Sequence, residues 1–338
     1  MNKILCYGEL LMRMSPALQG KWIARESMAV YIGGAELNVA SALARWGLPV
    51  SYFTCLPENY LSREICLELQ GKNIDTGPIH FCGDRIGIYF LPQGADLKHA
   101  GVIYDRSHSS FSELGPGEID WEKVLKDISW FHFSAISPAL GSRAAAVCLE
   151  AVEAASRLNI KISLDLNYRA KLWNYGIQPP AVMRKLAGYC DVIMGNIWSA
   201  ASLLGMEVDP HIHERGNRND FLEHARLTSL SLRESFPRCR AVANTFRFDH
   251  PRNGVLYYTA LHLSGTDYHS PEYIVEKITD RVGTGDCFMA GLIYGFSQAH
   301  PPQQILDFAT AAAVGKFSET GDATRQDVIS IQQSIQHG

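Results

Sequence analysis

From residue 129 onward the chain alternates short β-prone apolar runs with amphipathic ones, and few folds accept that order. Trp130-Phe131-His132-Phe133 reads as a strand, residues 142 to 158 as a helix, Lys161-Ile162-Ser163-Leu164-Asp165-Leu166 as a strand, and Asp191-Val192-Ile193-Met194 as another. Parallel neighbours need long crossovers, usually helical. The order therefore predicts an α/β chain with a mainly parallel central sheet, helices on both faces, and ligands at the C-terminal strand ends. Asp165, Asn167 and Arg169 fall at one such end and Asn196 at the next, where charged loop residues serve function or merely cap a turn. Further on, residues 241 to 246 read as a strand, 255 to 263 as part of a hairpin, and 305 to 317 as an Ala-rich helix before a closing helix from Arg325.

The N-terminal half supplies the rest of the sheet and something outside it. Lys3-Ile4-Leu5-Cys6-Tyr7 is too short an apolar run for a signal segment and reads as a first core strand. Residues 50 to 56 read as a second, with a helix from Glu58 to Leu69. Residues 14 to 32 have no helical period, and Ala29-Val30-Tyr31-Ile32 leans to β. Arg85 to Leu91 and Val102 to Arg106 resemble a hairpin turning about Gly94. Tyr89, Tyr104 and Arg106 can then share one face, either as packing or as a clamp for a carboxylate.

Composition sets the outer bounds. With 338 residues, 46% hydrophobic and 20% charged, the chain suits one α/β domain over residues 1–338, elaborated by small β segments. A net charge of −4 without a long basic run argues against nucleic acid or an anionic membrane as partner, and no apolar run approaches membrane-spanning length. Eight scattered cysteines, never in C-x-x-C, fit reduced thiols and a cytoplasmic setting. His211 and His213 are two apart in a polar stretch that reads as solvated surface, and no residue is assigned to a metal.

Two glycine-rich stretches carry the chemistry. Asp280-Arg281-Val282-Gly283-Thr284-Gly285-Asp286-Cys287-Phe288 leads into Leu292, Ile293 and Phe296 at helical spacing. A loop of this kind lets backbone approach a ligand and aims the free N–H groups of a helix start at an anion, with Asp286 at its mouth. Taken alone, the same residues also suit a plain turn and a favourable N-terminal acid. Gly33-Gly34-Ala35-Glu36-Leu37-Asn38-Val39-Ala40 opens another helix, where Asn38 can donate to and accept from a polyol, or simply be exposed. A helix start suited to a polyol and another suited to an anion, with a carboxylate beside it, point to phosphoryl transfer onto a hydroxyl. Neither the Walker phosphate loop nor the dinucleotide fingerprint occurs.

Those two stretches, in their order and separation, resemble the two signatures of the ribokinase-like (PfkB-type) sugar kinases, and the likeness runs nearly end to end. Within that family the chain looks most like the 2-keto-3-deoxygluconate kinases, through Gly8 to Pro16, Gly87 to Phe90, Val102 to Ser109, and Asp165 to Arg169. The resemblance implies a three-layer α/β/α domain with a β-sheet lid built from about 14–32 and 80–107, which excludes water and pairs two subunits. It also implies ATP and Mg2+ as cofactors, and a sugar acid held by Gly34, Asn38, Tyr89, Tyr104, Arg106 and Arg169. A guanidinium suits the carboxylate that neutral sugars lack. Asp286 would take the proton of the terminal primary hydroxyl while Gly283, Thr284 and Gly285 present N–H groups to the moving phosphoryl.

The nucleotide half departs from the pattern. Many relatives continue Asn-x-x-Glu where Asn196 is followed by Ile197, Trp198 and Ser199, and many carry a glycine-containing loop where Thr245 leads to Phe246 and Arg247. Asn196, Thr245 and Arg247 remain the expected nucleotide contacts. A kinase for fructose, ribose or tagatose, or a sugar-acid-binding regulator without transfer, are the alternatives.

Overall fold

The computed structural model describes residues 3–16, 27–92, 101–251 and 254–337. Its first eight strands are β1 Lys3–Tyr7, β2 Leu11–Ser15, β3 Ala29–Gly33, β4 Val50–Phe53, β5 Cys55–Leu56, β6 Ile74–Asp75, β7 His80–Phe81 and β8 Gly87–Phe90. The next eight are β9 Ile103–Asp105, β10 Ile128–Ser134, β11 Lys161–Asp165, β12 Val192–Gly195, β13 Ala241–His250, β14 Gly254–Leu263, β15 Thr266–His269 and β16 Tyr273–Val275. Ten of them form one sheet in the order β15-β14-β13-β12-β11-β10-β1-β4-β6, with β16 also on β14. From β13 to β6 every pairing is parallel, and β14 to β16 add antiparallel strands at one edge.

The central strands are buried on both faces, so they alternate between two cores rather than between core and water. Ile4 and Cys6 of β1 pack with the helices Ala35–Arg45, Thr284–Ser297 and Pro302–Lys316, while Leu5 and Tyr7 pack with Ser142–Arg157 and Pro179–Ala187 on the other face. Trp130 of β10 points to the first core, and Phe131 and Phe133 to the second. Phe288, Leu292 and Ile293 are fully buried, as their spacing requires. Against them the helix Pro302–Lys316 comes so close that a Cβ on Gly291 would lie 2.4 Å from the Ala309 Cα. Among the described residues no helix is long and apolar enough to cross a membrane.

Several boundaries differ from those the sequence suggests. The strand over 50 to 56 breaks at Thr54 into β4 and β5, and β5 leaves the main sheet to pair with β7. The polar stretch 206 to 238 contains an 18-residue helix, Arg218–Ser235, closed at its start by a capping box between Asn217 and Asp220. Its buried apolar residues, Phe221, Leu222, Ala225 and Leu232, do follow the helical period, but the charged outer face hides it. Strand β13 continues to His250, past the expected end at Phe246. The closing helix starts at Val328, where Asp327 accepts from the Ser330 amide at 2.8 Å. The turn about Gly94 lies outside the described residues.

The second sheet, β3-β2-β8-β9, has two unlike faces. Register places Tyr31, Arg13, Tyr89 and Tyr104 in one row across all four strands, facing the main body. Met12, Met14, Val30, Ile88, Phe90 and Ile103 occupy the opposite face. Arg13 is fully buried. Its Nε donates to Asp322 at 2.8 Å and its Nη2 to Asp280 at 3.0 Å, and its guanidinium lies 4.3 Å from the centroid of the Tyr31 ring. Burial opposes this charge, but Asp322, Tyr89 and Asp280 outweigh it and raise the Arg13 pKa above the usual guanidinium value. Removing one partner from such a cluster strands the others, which costs about 3–5 kcal/mol. Arg13→Met is therefore expected to lower the unfolding free energy measured by urea titration by that much, and a value equal to the wild type's would refute the clamp.

Candidate active site

The C-terminal ends of β11, β12 and β13, the inner face of the small sheet and the start of the helix Thr284–Ser297 enclose a cleft of about 1160 Å³. Gly34, Asn38, Tyr89, Tyr104, Arg106, Arg169, Asn196, Thr245, Arg247, Gly283, Thr284, Gly285 and Asp286 all line it. The residues singled out in the sequence thus meet in one place. The volume exceeds what a single small ligand usually fills.

The helix start is built by two close approaches. Gly283 has φ +79° and its Cβ position lies 2.1 Å from the Asp322 carbonyl oxygen, so a side chain is excluded there on both counts. The first intrahelical bond runs from the Cys287 amide to the Gly283 carbonyl at 2.8 Å, which leaves the amides of Thr284, Gly285 and Asp286 without helical acceptors. At Gly285, which is exposed and lines the cleft, an added Cβ would meet nothing within 4 Å. The arrangement fits a phosphate.

Asp286, in the first turn, is 7% exposed. Its Oδ2 accepts from Asn38 Nδ2 at 2.7 Å, while Asn38 Oδ1 is buried without a partner. Burial pushes the Asp286 pKa up to about 7, against the Asn38 hydrogen bond and Arg169, with Glu36 adding to the rise. A carboxylate poised near neutrality and aimed at the cleft can accept a proton. Gly34, one turn before Asn38, has φ +139° and its Cβ position would fall 2.4 Å from the Glu9 carbonyl oxygen, so packing alone demands glycine there.

The two arginines are not equivalent. Arg106 is buried and paired with Glu9, its Nε 2.7 Å from Oε2, and Ser109 Oγ donates to the other carboxylate oxygen. Arg169, half-buried, donates from Nη1 to the Tyr168 carbonyl at 3.1 Å and makes no ion pair among the described residues. Tyr89 and Tyr104 stand opposite each other with ring centroids 6.4 Å apart, and the Tyr89 hydroxyl donates to Asp322 at 3.1 Å.

In the other half of the cleft, Asn196 caps the helix Ile197–Leu204, its Oδ1 accepting from the Ser199 amide at 2.8 Å. Ser199 lines the cleft where an acid was expected from relatives. Arg247 shares this half with Arg281, whose Nη1 lies 3.5 Å from Asp249. Trp198 stacks on His213 with centroids 4.3 Å apart, so His213 is a cleft-edge residue as well as an exposed one. Among the described residues, no group of three or more His, Cys, Asp or Glu side chains is gathered as a metal site.

Sequence reasoning missed the supports. Glu36 accepts from the Ser134 amide at 2.9 Å and from its hydroxyl at 2.6 Å, tying the Asn38 helix to the end of β10. The signal was a carboxylate beside the apolar positions of a buried helix. Lys316, also fully buried, donates to the Gly321 carbonyl at 2.8 Å directly behind the anion loop, and Asp322 receives Arg13 and Tyr89.

The comparisons with known proteins agree on one family. The family model for pfkB family carbohydrate kinases matches residues 1–327. A 2-dehydro-3-deoxygalactonokinase of Haloferax volcanii is 25% identical over 320 residues, covering 95% of this chain and 92% of that one. The crystal structure of 2-dehydro-3-deoxygluconokinase from Thermotoga maritima is 32% identical, with a TM-score of 0.90 over 99% of this chain and 100% of that one. A putative ribokinase II from E. coli, solved in complex with ATP and Mg2+, shares the fold with a TM-score of 0.78 at 17% identity, each chain covered in full at 100%. With a ribokinase-like α/β fold and a matching family model over nearly its whole length, the chain belongs to the pfkB family of carbohydrate kinases and is an ATP-dependent sugar kinase.

Proposed function

We propose that the protein phosphorylates the terminal primary hydroxyl of 2-keto-3-deoxygluconate. The observation that carries this is the polarity of the cleft: a carboxylate and three free amides at one end, and a guanidinium without an acidic partner, Arg169, in the same cavity. A neutral sugar leaves that guanidinium unmatched; a keto-acid matches it.

The transfer is then assigned as follows. Asp286 accepts the hydroxyl proton as the oxygen–phosphorus bond forms and the bond to the ADP oxygen breaks. The amides of Thr284, Gly285 and Asp286 hold the charge spread over the moving phosphoryl oxygens. Asn38 fixes the Asp286 carboxylate through Nδ2 and offers Oδ1 to the substrate. Asn196, Thr245 and Arg247 face the nucleotide side. Mg2+, when bound with ATP, neutralises phosphate charge through its water shell. The small sheet would close over this chemistry and keep water out. The galactonate-derived acid is the second reading, favoured by the name of the Haloferax relative.

The outer face of the small sheet is proposed to pair with the same face of a second copy. Val30 is 50% and Ile103 56% exposed there, beside half-buried Met12, Met14 and Ile88. An apolar face of this kind is self-complementary across a two-fold axis.

Three outcomes check these assignments. Asp286 must be ionised to act, so kcat/KM should rise with pH through an apparent pKa near 7, and Asp286→Asn should lower kcat by about 10²–10⁴-fold. The folded carboxyl binds its proton more tightly than an unfolded one does, so its contribution to stability is present below about pH 4 and lost as pH rises through about 7. Asp286→Asn should consequently melt above the wild type at pH 8; an active variant, or one that melts lower, would contradict the assignment. Arg169→Ala should raise KM for the keto-acid by about 10–100-fold without lowering the melting temperature, whereas Arg106→Ala should lower it by stranding Glu9. Equal effects from both would sink the distinction. Val30→Lys with Ile103→Lys should shift light-scattering mass from dimer to monomer, and an unchanged mass would remove the small sheet as the interface.

A further inference from the structure

We propose that Asp165 reads the stereochemistry of the acceptor, by taking a hydrogen bond from one of its secondary hydroxyls. The inference deepens the keto-acid reading and rests on it.

Asp165 ends β11 and is held on both sides. It pairs in register with Ser134 of β10 and Met194 of β12, and its carbonyl accepts from the Ala135 amide at 2.9 Å. Its side chain lines the cleft and the residue is 6% exposed. Among the described residues none donates a hydrogen bond to its carboxylate and none forms an ion pair with it. Every other buried carboxylate around the cleft is matched. Asp286 has Asn38, Glu9 has Arg106 and Ser109, Glu36 has Ser134, and Asp280 and Asp322 share Arg13. A buried carboxylate left alone is costly, and folded chains rarely leave one without a ligand to complete it.

The chemistry of that ligand follows from a second unmatched atom. Asn38 Oδ1, in a residue 5% exposed, lines the same cleft and also has no partner. Both groups accept hydrogen bonds, so the region they share demands donors. Phosphate oxygens are acceptors and carry negative charge, so they do not meet these groups directly, whereas sugar hydroxyls donate. Burial and Asp286 raise the Asp165 pKa well above the carboxylate range, with Arg169 opposing, and the protonated form still bonds a hydroxyl. A buried polar group of this kind discriminates strongly, because a substrate with its hydroxyl on the wrong face leaves it unpaired again.

The test compares wild type, Asp165→Asn and Asp165→Ala with ATP, Mg2+ and each of the two acids derived from gluconate and galactonate, which differ at one secondary hydroxyl. The expected result is a fall of about ten-fold or more in the kcat/KM ratio between the two acids for Asp165→Ala, carried by KM on the preferred one. Both variants should melt no lower than the wild type at pH 8. An unchanged ratio with kcat lost equally on both acids would overturn the proposal, as would an unchanged ratio with a raised Mg2+ requirement, which would give Asp165 to the water shell of the metal. A lower melting temperature for both variants would make the carboxylate structural, and a wild type that does not discriminate would also refute the role. Refusal of both acids by the wild type would overturn the keto-acid reading itself, and this inference with it.

Discussion

The Arg13 guanidinium holds together parts of the chain that are far apart in sequence. It sits in the second strand, yet it binds Asp280, which begins the anion loop, and Asp322, whose carbonyl oxygen presses on Gly283. Asp280 Oδ1 in turn accepts from the Val282 amide at 3.2 Å. The small sheet and the start of the helix Thr284–Ser297 are therefore joined through one buried charge. A hydrophobic residue could pack the same space with less desolvation, but it would not fix two loops in relation to a sheet. Tyr89 ties a neighbouring strand to the same carboxylate, so the position of the small sheet and the shape of the anion loop are not independent.

That coupling makes sense of the polarity of the cleft. Arg106 and Glu9 neutralise each other at the base of the small sheet, so that pair contributes little net field to the cavity, and Arg13 offsets one of its two acids. What remains unbalanced is what can act on a ligand. Three amides and Arg169 are positive, and Asp286 and Asp165 are negative or neutral according to whether they hold a proton. Asp286 is near its midpoint at neutral pH because burial outweighs the single hydrogen bond from Asn38 that opposes it. With a full set of donors it would be a weak base; with none it would stay protonated.

Much of this was legible in the sequence, for reasons that can be named. The parallel sheet follows from strand and helix runs whose apolar residues are buried on both faces, and the anion loop from two glycines, of which Gly283 is closed to a side chain by the Asp322 carbonyl oxygen. The helix Arg218–Ser235 was missed because its exposed face carries enough charge to mask four buried apolar positions. Arg13 was missed for the opposite reason. In Leu11-Met12-Arg13-Met14-Ser15 the alternation reads as two methionines inward and an arginine outward, whereas the strand does the reverse. Pairing of residues 267 and 309 positions apart turns it over, and no local pattern reports a contact at that range. The unequal roles of Arg106 and Arg169 were hidden likewise, because Glu9 lies 97 residues from its partner.

Buried polar groups without a partner occur in several parts of this protein, and those at the cleft bear on its function. Away from the cleft many are provided for, although Ser62 Oγ, Trp121 Nε1 and the Tyr258 hydroxyl are buried without a partner. His132 meets Ser163 at 3.0 Å and is held neutral by burial, with its pKa near 3, and Trp130 donates to the same hydroxyl at 2.8 Å. Such groups cost little once paired and make one arrangement of the core preferable to others. At the cleft, Asn38 Oδ1 is buried without a partner, the Asp165 carboxylate receives no hydrogen bond from the described residues, and three helix amides have no helical acceptor. A chain stable by only a small margin does not collect such costs in one cavity without return. The return is available only from a molecule that brings hydroxyl donors to one set and anionic oxygens to the other, which is the description of a sugar beside a phosphate.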